Sequence, residues 1–236
     1  MKPHLASIRI YPVKGLAPVS LSKATVDAAG ALEHDRAWAL RDERGRFVNG
    51  KNYPAIHSLR WLAVEDHQQL VRAASQRLGL ALRLVEKIPG GFPDDPEASG
   101  PTVVSRGSLT EVASWFEPEQ MSEAGARMRF RANLELDGVP PFWEDQLFPR
   151  QFRVGHVVLE GVNPCQRCIV PSRDALTGEV AGGFQKRFMS RRERTLPAWA
   201  DRTYFTHYYR LTVNTRIAPG QAGKQLHVGD EVSLLS

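Results

Sequence analysis

Alternating apolar and polar side chains predict short β-strands along most of this chain. Residues 7–11 alternate in this way and stop at Pro12, and residues 36–42 form a strand that enters a hairpin turn at 43–46. The remaining predicted strands lie at 59–64, 80–85, 152–161, 167–173, 204–215 and 226–235. A helix around 71–82 stays open as an alternative. Short strands in this number are typical of a barrel or a sandwich, so we expect a mainly β protein with a few helices, α+β in class.

Residues 127–136 give the clearest strand pattern. Apolar side chains occupy the even positions, while arginine, asparagine or glutamate occupies the odd ones. In a strand, Arg131 and Asn133 would point to the same side, roughly 6–7 Å apart. One side chain would then clamp an oxyanion while the other offers amide hydrogen bonds. The alternative is the ordinary solvated face of a half-buried sheet.

The firmest helix prediction covers residues 109–116, where apolar residues recur at helical intervals. Ser108 and Glu111 have the spacing of a capping box. The free backbone N–H groups at this helix start, with the hydroxyls of Ser105 and Ser108, form a candidate seat for a phosphate. Simple capping by Ser108 is the alternative.

Residues 88–101 contain four prolines and three glycines and are predicted to form a linker or an exposed loop. This segment divides the chain into a predicted N-terminal domain, residues 1–90, and a C-terminal domain, residues 100–236. Residues 140–145 form a second loop with two large aromatic side chains, Phe142 and Trp143, and are expected to act as a lid or as a cover on the core.

The composition is that of a globular protein: 236 residues, 42% hydrophobic and 24% charged. The net charge of +5 comes from scattered basic residues rather than a basic stripe with interleaved aromatics, so we expect a small anionic ligand and no nucleic acid. No apolar run approaches the roughly 20 residues that span a bilayer, so we expect no membrane partner. Without a secretory signal at the N-terminus, the expected location is cytoplasmic.

The only two cysteines of the chain, Cys165 and Cys168, flank Arg167 in a C-x-R-C segment. Zinc would need further ligands, and the seven histidines show no ligand-like spacing. A redox dithiol would favour the start of a helix, whereas Ile169 and Val170 favour extended structure. A third interpretation is a single thiolate beside Arg167 that acts as a soft metal ligand or as a nucleophile. A fourth is that the two cysteines are simply small buried residues of the core.

Six motifs follow one another along nearly the whole chain. They are Ile10-Tyr-Pro-Val-Lys14-Gly15, Asp35-Arg36 with Trp38, Ser105-x-x-Ser108-Leu109, Phe130-Arg131-Ala-Asn133, Cys165-x-Arg167-Cys168 with Asp174-x-x-Thr177-Gly178, and Gly229-Asp230. In this order they resemble the MOSC superfamily, whose domain lies at the C-terminus of molybdenum cofactor sulfurases, and especially the amidoxime-reducing component type. Any one motif alone would be weak.

The resemblance implies a β-barrel MOSC fold with an N-terminal MOSC-associated barrel, and a molybdenum cofactor (molybdopterin) with a cysteine thiolate on the metal. By position in the motif, Cys168 and not Cys165 is the implied metal ligand and catalytic residue. Asp174 corresponds to an acidic residue near the metal, with a role in proton delivery or positioning. The implied cofactor-binding residues are Lys14, Arg36, Ser105, Ser108, Arg131 and Asn133.

The function implied is a molybdenum-dependent oxidoreductase that reduces N-hydroxylated small molecules. No cysteine follows Gly229-Asp230, where some bacterial relatives carry an iron–sulfur domain, so we expect a separate electron-transfer protein. Ala132 stands where a proline is common in the motif, and the segment 88–101 is short for the family. The alternative is a sulfur or cofactor carrier without turnover, with a persulfide on Cys168. A barrel that has lost the cofactor and serves as an interaction module is the third possibility.

Overall fold

The computed structural model describes residues 2–59 and 66–235, which are mainly sheet with four helices in that part of the chain. The helices are α1 (His67–Leu78), α2 (Arg106–Ser114), α3 (Glu123–Phe130) and α4 (Phe184–Arg194). The strands are β1 (His4–Ile10), β2 (Val19–Leu21), β3 (Lys23–Thr25), β4 (Trp38–Asp42), β5 (Leu82–Glu86), β6 (Val103–Ser105), β7 (Leu134–Asp137), β8 (Gln151–Val154), β9 (Val157–Gln166), β10 (Arg210–Ile217), β11 (Gln225–His227) and β12 (Val232–Leu234). The mainly β, α+β fold class is therefore confirmed.

Eight strands form one large sheet in the order β12-β8-β9-β10-β6-β7-β1-β2. All neighbours in it are antiparallel except β6 and β7. Strand β1, from the start of the chain, pairs with β7, and β3 pairs with β11. The beginning and the end of the chain therefore share one sheet system, whose apolar core includes Leu5, Val103, Leu134, Phe152 and Val213.

The N-terminal predictions agree with the structure where residues are described. The strands predicted at 7–11, 36–42 and 80–85 correspond to β1, β4 and β5. An isolated antiparallel bridge between Arg41 and Phe47 closes the turn predicted at 43–46. The helix that stayed open as an alternative around 71–82 is present as α1. Asp66 caps its start and Gly79 caps its end. The prediction for 59–64 lies outside the described residues except for Leu59, which ends a 3-10 turn.

The strand predicted at 127–136 is wrong, because most of it is helix α3. Ser122 caps this helix by accepting a hydrogen bond from the backbone N–H of Gly125 at 3.1 Å. The Arg127 guanidinium binds the Glu123 carboxylate one turn earlier at 2.6 Å. The helix ends at Arg131, which has a positive φ of 52°, and only Leu134–Asp137 is strand. Arg131 and Asn133 therefore do not share a strand face.

The chain around the cysteines also differs from the prediction. A tight turn divides the strand predicted at 152–161 into β8 and β9, and β9 continues beyond the predicted end to Gln166. The strand predicted at 167–173 is wrong: beyond Cys168 lies a loop with a 3-10 turn, Val170–Ser172, around Pro171. Of the residues predicted at 204–215, only those from Arg210 onward belong to β10. The 226–235 region is β11, a turn and β12.

The two predicted loops pack against the body of the protein. Segment 88–101 contains one 3-10 turn, Pro96–Ala98, and the backbone N–H of Phe92 and of Gly100 bind the carbonyls of Arg36 and Thr215, both at 2.9 Å. Phe142 is 2% exposed and stacks on Trp115, so the 140–145 loop covers the core. The domain limits at 90 and 100 stay a prediction. No helix among the described residues is long and apolar enough to cross a bilayer.

Candidate cofactor site

A cavity of about 800 Å³ opens where the start of the chain meets the cysteine segment. Its walls come from the loops around Lys14 and Asn49, the 93–100 segment, the end of α3, the end of β9 and the start of β10. Its lining is strongly basic, with two carboxylates, Asp94 and Asp95, among the described residues. The cationic side chains in the lining are Lys14, Arg36, Lys51, Arg129, Arg131, Arg167 and Arg210. Such a surplus of cations in a concave site favours an anionic ligand.

Lys14, Arg36 and Arg131, here called the cation cluster, come from three separate parts of the chain. The backbone of Lys14 binds the carbonyl of Trp38 at 2.8 Å, which fixes Lys14 against the start of β4. Arg36 and Arg131 both have positive φ values of 52°, uncommon for arginine. The two guanidinium groups lie 5.7 and 4.0 Å from the ring centre of Tyr11. Tyr11 is therefore the shared support of both arginines.

The charges of the two arginines differ in how they are compensated. Burial alone would lower the pKa of Arg36, but the adjacent Asp35 carboxylate, which binds its Nη1, raises it. Burial lowers the pKa of Arg131, which has no ion pair among the described residues. Its Nη1 atom is buried without a hydrogen-bond partner within that part of the chain. A buried guanidinium donor left open in this way is what a bound oxyanion would satisfy.

The two cysteines line the same cavity and are both free thiols. Cys168 is exposed, and its Sγ accepts a hydrogen bond from the backbone N–H of Val170 at 3.5 Å. Of the two cysteines, Arg167 contacts Cys165, since its Nη1 lies 3.1 Å from the Sγ of that residue. The other end of its guanidinium donates to the carbonyl of Phe130 at 2.7 Å. Arg167 therefore fastens the strand with Cys165 to the end of α3 and leaves the Cys168 thiol open.

Ser105 and Ser108 lie away from the cavity. The helix cap is Ser105, three residues before the predicted one, since its Oγ accepts from the backbone N–H of Ser108 at 3.1 Å. The Ser108 hydroxyl donates to the Glu144 carboxylate at 2.9 Å and accepts from the backbone N–H of Phe142 at 2.6 Å. Both serines are 0% exposed. The phosphate seat predicted at this helix start is therefore filled by protein.

Asn133 and Asp174 also do not line the cavity. Asn133 is fully buried and links three segments: its amide donates to the carbonyl of Arg9 at 3.0 Å and accepts from the backbone N–H of Thr102 at 3.1 Å. The Asp174 carboxylate accepts from the backbone N–H groups of Leu176 and Thr177, which lowers its pKa. Both residues therefore organise backbone next to the site, and the role of Asp174 in proton delivery or positioning stays a prediction.

Sequence reasoning missed Arg129, which holds the cysteine loop. Its guanidinium is 5% exposed and donates to the carbonyl of Pro171 at 3.2 Å and to that of Gln120 at 2.9 Å. Its Nη2 also lies 3.8 Å from the Asp174 carboxylate. The misread strand at 127–136 hid this role, because Arg129 was placed on a polar face rather than on a buried helix side. A helical period in 123–130 was the signal available.

A mainly β fold whose cavity joins a cluster of cations to an open thiol is suited to an anionic ligand next to a soft metal or reactive sulfur. Comparison with known families narrows this class. Residues 2–117 match the MOSC N-terminal beta barrel domain and residues 99–233 match the MOSC domain. The chain therefore belongs to the MOSC family, as its motifs indicated.

Individual relatives are more distant. The molybdenum cofactor sulfurase of Oryza sativa subsp. japonica is 22% identical over 243 residues, covering 75% of this chain and 29% of the relative. That of Drosophila willistoni is 26% identical over 230 residues, covering 76% and 28%. The chain thus spans less than a third of the length of these relatives. Their names relate the family to the molybdenum cofactor.

Two solved structures show weak similarity. One is a hypothetical protein with a TM-score of 0.48 and 13% identity, covering all of this chain and 68% of that one. The other is the YuaD protein from Bacillus subtilis, with a TM-score of 0.43 and 11% identity, covering 98% of this chain and 94% of that one.

Proposed function

We propose that this protein holds a molybdenum cofactor in its basic cavity and reduces N-hydroxylated small molecules, with the Cys168 thiolate as metal ligand. The observation that carries the proposal is a single cavity lined by the exposed thiol of Cys168 and by Arg131, whose buried Nη1 has no hydrogen-bond partner in the described part of the chain. Soft sulfur suits the metal, and a buried guanidinium suits the phosphate of the pterin.

The residues present fit such a group. Lys14, Arg36 and Arg131 would hold the phosphate. All three line the cavity, and Nη1 of Arg131 has no hydrogen-bond partner among the described residues. In residues 2–59 and 66–235, no three His, Cys, Asp or Glu side chains form a metal cluster. A metal at Cys168 would thus rely on the sulfur ligands of the cofactor itself. The cavity of about 800 Å³ lies within the usual range for small-molecule and cofactor sites.

The chemistry divides between the cofactor and the chain. When bound, the cofactor would supply the two-electron redox chemistry; two electrons and two protons convert the N–OH group into N–H and water. Arg129 positions the loop that follows Cys168 through the carbonyl of Pro171. Arg167 fixes the end of the strand that carries Cys165. The residues that line the cavity would determine which substrates reach the Cys168 thiol. The electrons would come from a separate electron-transfer protein.

The test of this proposal measures metal and activity together. Wild-type protein, Cys168→Ala and the matched control Cys165→Ala are expressed in a host that makes the cofactor, and molybdenum is measured by plasma mass spectrometry. We expect near-stoichiometric molybdenum in the wild type and in the control, and its loss in Cys168→Ala. Reduction of an amidoxime or hydroxylamine by a reduced viologen dye should follow the metal. Full activity in Cys168→Ala would overturn the assignment.

A carrier role is the second candidate, and the exposure of Cys168 favours it. A thiol that reaches solvent suits the hand-over of sulfur or of a cofactor to another protein. The relatives named molybdenum cofactor sulfurase also support a role close to cofactor handling. Mass spectrometry of gently purified protein would reveal an added sulfur atom on Cys168. Molybdenum bound without N-hydroxy reduction, or a persulfide without molybdenum, would favour this role over the reductase.

A further inference from the structure

Asp94 faces the cation cluster. It belongs to the 93–100 wall of the cavity, and its carboxylate forms an ion pair with the Nζ of Lys14. The Lys14 side chain is 12% exposed, whereas that of Asp94 is 80% exposed. The Asp94 carboxylate therefore pairs with Lys14, a cation that an anionic ligand in this cavity would need.

Asp94 contacts Lys14 and is also within the electrostatic influence of Arg36 and Arg131. Desolvation by the cavity walls would raise the pKa of Asp94, but Arg36, then Lys14 and more weakly Arg131 hold it below its usual range. The ion pair with Lys14 is the only polar contact of the Asp94 side chain within the described residues. Through its contact with Lys14 the carboxylate thus takes the place of a ligand anion, and no other polar contact in the described part of the chain fixes it there.

We propose that Asp94 is a built-in competitor that occupies the anion position of the cation cluster and leaves it when a phosphate group binds. This inference rests on the proposed function, because that function assigns the cluster to the cofactor phosphate. It adds a residue that weakens the hold on the ligand. Phosphate can bind only to the fraction of the protein in which the carboxylate has left the site. The apparent affinity for phosphate is lowered in proportion to that fraction.

The loop is built so that Asp94 can leave without unfolding its surroundings. On one side, the backbone N–H of Phe92 binds the carbonyl of Arg36 at 2.9 Å, and its ring contacts Phe47. Gly91 permits this approach, since a Cβ there would lie 2.4 Å from the carbonyl oxygen of Asp35. On the other side, Arg216 donates to the carbonyl of Glu97 at 2.5 Å. Because the loop is anchored on both sides, rotation of the Asp94 side chain alone is sufficient to release Lys14.

The test is calorimetric titration of the cofactor-free protein with inorganic phosphate at low ionic strength. We compare the wild type, Asp94→Asn and the control Glu97→Gln, which removes one negative charge from the same loop at a residue that does not line the cavity. We expect Asp94→Asn to bind phosphate about fivefold more tightly, the scale of one exposed ion pair, and Glu97→Gln to stay within about twofold of wild type.

A role for Asp94 in holding Lys14 ready for the ligand predicts the opposite sign, so unchanged or weaker binding in Asp94→Asn would overturn the inference. So would the absence of phosphate binding in all three proteins. A double-mutant cycle locates the effect: in a Lys14→Gln background, Asp94→Asn should gain less than about twofold. An equal gain in both backgrounds would contradict competition at Lys14. The phosphate readout is independent of molybdenum content, so this inference and the proposed function fail separately.

Discussion

Two polar clusters of this protein differ in what surrounds their charges. The cation cluster of Lys14, Arg36 and Arg131 lines an open cavity, where Nη1 of Arg131 has no hydrogen-bond partner among the described residues. The second cluster does not line the cavity; we call it the buried acid cluster, and its members are Ser105, Ser108, Glu144, Asp145 and Arg192. Oε1 of Glu144 and Nη1 of Arg192 also lack a hydrogen-bond partner among the described residues, but neither residue lines the cavity. We therefore expect the open cluster to serve binding and the closed cluster to serve stability.

The largest effect should come from Arg192. Its guanidinium is 1% exposed, pairs with the Asp145 carboxylate and lies 4.2 Å from the ring centre of Phe142. Arg192→Met keeps the volume but leaves the Asp145 charge buried without its partner, which should lower the free energy of unfolding by about 3–5 kcal/mol in urea denaturation. A loss below about 1 kcal/mol would mean that the buried acid cluster does not stabilise the fold.

The next effect should come from Ser108, which joins the two sides of the buried acid cluster. Ser108→Ala removes the donor to Glu144 and the acceptor for the backbone N–H of Phe142. We expect the free energy of unfolding to fall by about 1–3 kcal/mol. Phosphate affinity, measured by calorimetry on the folded variant, should stay unchanged. A loss of phosphate binding with unchanged stability would restore the helix-start phosphate seat predicted from the sequence.

Glu144 should make stability depend on pH. Burial, reinforced by the neighbouring Asp145 carboxylate, raises the pKa of Glu144 from 4.5 to about 7. Between these values the native protein keeps a proton that the unfolded chain has released, so stability should fall as pH rises from 4.5 to 7. Glu144→Gln should flatten that slope in urea denaturation from pH 5 to 8. Asp145, whose pKa burial also raises, contributes in both proteins, and identical slopes would contradict the assignment.

The sequence predicted the open cluster better than the closed one, for a physical reason. Motif order identified Lys14, Arg36, Arg131 and Cys168, and all four line the cavity. The pattern around 105–111 predicted helix α2 but not its cap, because both serines fit a capping position. The Ser108 hydroxyl instead donates a hydrogen bond to Glu144. Because Glu144 is distant in sequence, the local pattern could not indicate this role.

The strand error at 127–136 has a similar origin. Strict alternation of apolar and polar residues suggested a period of two, while Ser122 and the Glu123–Arg127 pair indicated a helix start just before it. Tertiary packing of Ala126 and Phe130, four residues apart, decided in favour of the helix. The surroundings of Cys168 were misread for the same reason, since an extended run ended in the turn around Pro171.

Arg131 should show the smallest effect on stability and a clear one on binding, which separates the two clusters most sharply. Arg131→Gln gives up a stacking contact with Tyr11 but also removes a buried charge without an ion pair among the described residues. These effects oppose each other, so the free energy of unfolding should change by less than about 1 kcal/mol. Loss of a charged hydrogen-bond donor should weaken phosphate binding by about tenfold.

The two readouts together test the division between the clusters. The control is Arg9→Gln, since Arg9 is paired with Glu135 at 3.0 Å and does not line the cavity. We expect that control to keep its phosphate affinity. A large loss of stability in Arg131→Gln would mean that Tyr11 and its arginines support the fold itself. In that case, the positive φ at Arg131 would serve the junction between α3 and β7 rather than the ligand.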